Sequence, residues 1–303
     1  MKEQDASDSL LLPQVFLKLS KMMIYTIDNG KTKLKVNSIG AEVRSVICFG
    51  KERAWQNETG EWAGCAILLF PFAGFNHLFF DGKDYGIQKH GFCRNEEFSL
   101  IEQGSDYIEF ELTANERTKE IYPFYFSFKV KYSLAENGYD ISYTVKNLGD
   151  KIMPLACGGH ESFAIDKEVP DYYVEFEKNE KFDFLLANRG GLLTGEIEEH
   201  GEGTILSLEE EFTSNSSTVI LADINSRKAT LRDKKTKERI VEIGFVGFEN
   251  LLLWHPHGSK MLCIEPWQCL PSYVDEKKEF GERKGVINLS PESEVSFTRT
   301  IRY

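Results

Sequence analysis

Four segments of the chain set rare polar side chains among glycines and aromatics, the pattern of a ligand groove on a β-scaffold. They are Leu69-Phe70-Pro71-Phe72-Ala73-Gly74, Lys89-His90-Gly91-Phe92-Cys93-Arg94-Asn95, Cys157-Gly158-Gly159-His160-Glu161-Ser162-Phe163 and Cys263-Ile264-Glu265-Pro266-Trp267-Gln268. Histidine and glutamate, with free pKa values of about 6.5 and 4.3, are side chains that exchange protons in water. Each segment alone has a plainer reading. A single histidine beside a glycine is commonly a hydrogen-bonded structural residue. Glu265 follows the apolar Met261-Leu262-Cys263-Ile264 and reads equally as a solvent-exposed strand end. Phe72, Phe92, Trp254 and Trp267 could stack on a ligand's apolar face, although most aromatics in a sandwich are core.

The elements that must carry these segments are strands. The clearest pair is a hairpin around Asn137-Gly138. Before it Phe126, Phe128, Val130 and Tyr132 alternate with Ser127, Lys129, Lys131 and Ser133; after it Tyr139, Ile141, Tyr143 and Val145 alternate with Asp140, Ser142, Thr144 and Lys146. A period of two sends one set to a buried face and the other to water, and Asn-Gly tolerates the positive φ of a tight turn. Similar alternation runs through 107–113, 217–223, 229–233 and 295–301, and a first hairpin begins near Ile24-Tyr25-Thr26-Ile27-Asp28-Asn29-Gly30. No window of a dozen residues carries a helical period. The fold class expected is all-β, with many antiparallel strands. Residues 23–303 show no linker or repeat and read as one domain. Residues 1–22 read as an extension, with a short amphipathic helix after Pro13.

Composition narrows the partners. A formal net charge of -12 in 303 residues repels phosphate backbones and anionic lipids, so neither nucleic acid nor membrane is expected. The six cysteines have no paired spacing and read as reduced, buried thiols. The apolar patches of 9–23 are broken by Lys18 and Lys21 and lack a cleavage site, so a cytoplasmic location is expected.

Taken together and in order, the four segments resemble the aldose 1-epimerase (galactose mutarotase-like) family, especially its LacX-like branch. Leu69–Gly74, Asp81-Gly82-Lys83-Asp84-Tyr85, His90–Arg94, Tyr122-Pro123-Phe124, Gly158-Gly159-His160 and Cys263–Trp267 follow that family's pattern from about Met23 to the C-terminus. The resemblance implies a β-supersandwich that interconverts the α and β anomers of a hexose. It implies His160 as the acid that protonates the ring oxygen, Glu265 as the base at the anomeric hydroxyl, and His90 as a second active-site histidine. From free pKa values Glu265 should start ionised, and His160 must be held partly protonated, which a nearby carboxylate would favour. Asn76, Arg94, Trp267 and Phe72 are candidates for contacting the sugar. The chemistry calls for no cofactor or metal, and a monomer or homodimer is expected.

The departures from that pattern define what else the chain could be. The family often has an arginine after the glycine of the first segment, where Phe75 stands here, leaving Asn76 or His77 to compensate. No sugar-binding aspartate has a motif; Asp223 and Asp233 merely lie in plausible strands. A non-catalytic sugar-binding protein on the same fold is therefore one alternative. A glycosidase using Glu161 as a second carboxylate is another. A phosphosugar mutarotase is a third, with Lys89 and Arg94 as the nearest cations. His255-Pro256-His257 reads as a turn rather than a metal site.

Overall fold

The computed structural model describes residues 22–58, 60, 62–208 and 218–303. Its strands join into an 18-stranded antiparallel sheet, with two small two-stranded sheets beside it. Helix among the described residues is limited to one α-helix, Glu116–Ile121, capped by Asn115, and three short 3-10 turns. The expected leader helix lies outside the described residues.

The alternation read from the hairpin is the alternation of burial. Phe126, Phe128, Val130, Tyr132, Tyr139, Ile141, Tyr143 and Val145 all lie in the core. Phe126–Ala135 pairs with Gly138–Asn147, Ala135 facing Gly138. The two turn residues are therefore Glu136 and Asn137, one position earlier than the Asn-Gly signal suggests. Gly138 instead opens the next strand. The strand expected over 217–223 is Thr218–Leu221, and those expected over 229–233 and 295–301 are Lys228–Asp233 and Glu294–Arg302.

Three adjacent strands place the polar segments. Gly158–Ala164 lies between Ala66–Leu69 on one side and Met261–Trp267 on the other, with His160 opposite Ile67 and Gly158 opposite Trp267. Asn250–Trp254 then flanks Met261–Trp267, Leu252 facing Glu265. Beneath them lies a core rich in aromatic rings, including Phe70, Phe128 and Tyr143.

A buried ion pair crosses this core. Arg299 is wholly inaccessible, and its guanidinium donates to both carboxylate oxygens of Glu161, one at 2.6 Å, and to the Tyr143 hydroxyl at 2.8 Å. The two glycines ahead of His160 have their reason here. A Cβ on Gly159 would stand 2.1 Å from the Arg299 guanidinium, and one on Gly158 would stand 3.0 Å from the Trp267 indole. All six cysteines are free and buried. No helix of the described residues is long and apolar enough to cross a membrane.

Candidate active site

His160 and Glu265 come from strands about a hundred residues apart in sequence and meet at the floor of one cavity of about 350 Å³. His160 Nδ1 lies 3.4 Å from Glu265 Oε1, within reach of an ion pair but without hydrogen-bond geometry. His160 Nδ1, Glu265 Oε2 and Trp267 Nε1 are all buried with no hydrogen-bond partner. Buried polar groups are nearly always paired, and each exception costs about 1–3 kcal/mol. These three atoms gather beside one cavity, and the Trp267 indole lies close enough to the Glu265 carboxyl to favour its ionised form, against the effect of burial.

His90 completes the set. Its ring is 5.5 Å from that of His160 and 5.4 Å from that of Trp267. Its backbone N–H donates to Gly74 O at 2.8 Å, and its Nδ1 accepts from the Gly74 N–H at 3.1 Å. An accepting Nδ1 assigns the proton of the neutral ring to Nε2. The following Gly91 has φ +68°, and a Cβ there would stand 2.0 Å from Phe70 O. The His-Gly order is thus required by how closely this turn approaches the strand before it.

The walls are aromatic and cationic. Trp62 stacks on His160 with centroids 4.6 Å apart, and Trp254 meets the same imidazole edge-on at 5.8 Å. Trp267, Phe75, Lys89 and Arg94 also line the cavity. Lys89 is the cross-strand partner of Phe75, and its ammonium sits 4.8 Å above the Phe75 ring.

Burial dominates the electrostatics. It lowers the pKa of His160 to about 3, and the positive charges of Lys89 and Arg94 push in the same direction. Burial also holds Glu265 well above the usual carboxylate range, the Glu161 charge adding to this and Lys89 opposing it. His90 is pushed down by burial and then by His160. Both shifts run against the protonation expected from free pKa values. Desolvation penalises both charged forms, so burial favours a neutral imidazole at His160 and a protonated carboxyl at Glu265.

Two sequence-based candidates fall outside the cavity. Asn76 is fully buried, donating to Ala73 O and accepting from Arg283. Its strand alternates, so Phe75 faces the cavity and Asn76 must face the core. Phe72 is likewise inaccessible, packed edge-on against Phe280. His77 lies against Asp84 on its hairpin, so neither Asn76 nor His77 replaces the missing arginine; the cation beside Phe75 is Lys89. Glu161 is committed to Arg299, Asp233 pairs with Lys167 and Asp223 with Lys284, and none of the three lines the cavity. His255 donates from Nδ1–H to Met261 O at 2.8 Å, closing its own turn. Trp62 was missed; it stands in a loop, and its only signal is an aromatic among polar residues.

A continuous antiparallel sheet carrying this groove is a galactose mutarotase-like β-sandwich. The chain belongs to the aldose 1-epimerase family, whose profile matches residues 23–291. It is similar to the chromosomal protein LacX of Lactococcus lactis subsp. lactis, 27% identical over 89% of this chain and 95% of the relative. Among solved structures it resembles a galactose mutarotase-like protein from Lactobacillus casei. That match has a TM-score of 0.85 and 25% identity, over 92% of this chain and 99% of the other. A galactose mutarotase related enzyme from Lactobacillus acidophilus gives 0.81 and 25%, over 93% and 97%.

Proposed function

We propose that the chain is a mutarotase, opening and reclosing an aldose ring with His160 and Glu265 as its proton-transfer pair. The observation that carries this reading is that the buried polar side chains of His160, Glu265 and Trp267 converge on one cavity. Mutarotation moves two protons at once: one leaves the C1 hydroxyl and another reaches the ring oxygen. Rotation about C1–C2 turns the carbonyl over, and closure reverses both transfers. The pair needs one proton between its two residues. Burial favours that proton on Glu265, and in this reading Glu265 gives and His160 takes during opening, and they exchange roles during closure. His90, with Nε2–H as its free donor, would hydrogen-bond the carbonyl oxygen as it forms. That starting state leaves the overall exchange unchanged, since each residue acts once as acid and once as base.

The same electrostatics set the pH profile. Protonation of His160, with a pKa of about 3, removes the base. Ionisation of Glu265, raised by burial, removes the acid. Activity is therefore lost as pH falls through the low value and as it rises through the high one. After subtraction of the spontaneous rate, kcat/KM should stay near its maximum at about pH 5, where a free histidine is largely protonated. NMR anomer exchange measures this; a half-loss near pH 6.5 would contradict the assignment.

A second reading concerns the substrate and rests on the cations. Among the described residues neither Lys89 nor Arg94 has a carboxylate ion-pair partner, and both line the cavity. A phosphorylated aldose would supply the missing anion. Replacing Lys89 with alanine is then expected to shift the ratio of KM for hexose 6-phosphate to KM for the neutral hexose by about tenfold, the scale of one charged hydrogen bond. An unchanged ratio returns the preference to neutral sugars.

A further inference from the structure

Behind the proton-transfer pair lies a third side chain with no place in the reaction. Cys263 is wholly buried, two residues from Glu265 on the same strand and hence on the same face. It packs with Trp55 and Met261 beneath Trp62 and Trp254. One ligand atom each from His160, Cys263 and Glu265 falls within 4.8 Å of the other two. We propose that these three side chains form a zinc site, and that zinc bound there inhibits the enzyme.

Geometry and donor chemistry both support zinc. Tetrahedral zinc with bonds of about 2.0–2.3 Å keeps neighbouring ligand atoms roughly 3.3–3.7 Å apart. His160 Nδ1 and Glu265 Oε1 already stand at 3.4 Å, and with all three ligand atoms within 4.8 Å of one another a contraction of at most about 1 Å closes the third side. The coordinating nitrogen, His160 Nδ1, is buried and lacks a hydrogen-bond partner, so a metal takes an atom that no protein group holds. A nitrogen, a thiolate and a carboxylate form a mixed, partly soft set that suits zinc better than calcium or magnesium, which favour oxygen. Because His160 and Glu265 line the cavity, the fourth position opens toward it. Binding releases the Cys263 thiol proton and the proton held by the pair to solvent. The metal then occupies the atoms that must move protons, and turnover stops. The inhibition rests on the function proposed above; the binding does not.

The test uses the whole chain, freed of metal by a chelator. Calorimetric titration with zinc chloride is expected to show a site that disappears in Cys263→Ala. Cobalt(II) should give a near-ultraviolet thiolate charge-transfer band in the parent and none in the variant. Loss of the thiolate should weaken zinc binding by roughly a hundredfold or more, since even outer-sphere partners contribute about tenfold to a hundredfold. Anomer exchange by the parent should fall as the site fills. Cys263→Ser serves if the alanine variant does not fold, circular dichroism being the check. Zinc binding unchanged in a folded Cys263 variant, or no thiolate band in the parent, overturns the site. Zinc that fills it without slowing an active enzyme overturns the inhibition. A parent with no anomerase activity fails the proposed function instead, and calorimetry and the cobalt band still decide the site.

Discussion

Glu265→Gln is expected to slow enzyme-catalysed anomer exchange by about 10²- to 10⁴-fold, the usual contribution of a positioned proton-transfer group. Glutamine matches the shape of a protonated glutamate, which is the state burial favours at this position. The fold and the cavity should therefore survive while the side chain can no longer give or take a proton. His160→Ala should cost a similar factor, because the pair acts as a unit and either loss leaves one transfer without a partner. For the same reason the double variant should be little worse than the single ones. Polarimetry on a freshly dissolved pure anomer, or NMR exchange, measures all three. Acceleration that survives in Glu265→Gln would leave the chain as a sugar-binding protein or a catalyst of another kind. Release of a second sugar from a glycoside would point to hydrolysis, for which Glu161, locked to Arg299, is poorly placed.

The largest expected effect on stability lies one residue away. Arg299→Met removes the cation from a wholly buried ion pair and leaves the Glu161 carboxylate charged, or forced to protonate, in the core. Breaking such a pair costs about 3–5 kcal/mol, which lowers Tm by roughly 5–8 °C in a domain of this size. The interaction is specific in its geometry: two donors face one carboxylate, a tyrosine hydroxyl faces the third, and Gly159 leaves space for the guanidinium. The companion variant Glu161→Leu/Arg299→Met should recover much of the loss, because neutral partners of similar volume avoid the desolvation of both charges. Thermal unfolding decides it. A single variant that melts with the parent would mean that the core tolerates a lone carboxylate beneath His160.

Much of the architecture is legible in short stretches. The hairpin strands announce themselves because alternation is a local property: consecutive Cβ atoms point to opposite faces whatever the rest of the chain does. Small errors fall where the signal is weakest. The turn at Glu136-Asn137 is displaced by one residue from the Asn-Gly step, since paired strands on both sides choose the register. Asn76 and Phe72 were misplaced for a related reason. Proximity to a glycine-rich segment marks a neighbourhood, but alternation decides which neighbour faces the cavity, and only strand pairing reveals its phase.

By itself, the order of residues determined the all-β class, the family resemblance, and His160, Glu265 and His90 as the groups able to move or hold protons. Tertiary structure alone decided that they meet at one cavity, that Trp62 joins them, and that burial pushes the imidazole and the carboxyl toward their neutral forms. The division has a physical cause. Side-chain type and strand period are carried by a residue and its immediate neighbours, whereas desolvation is the summed effect of every atom that excludes water. At His160 and Glu265 those atoms come from strands spread across the whole chain.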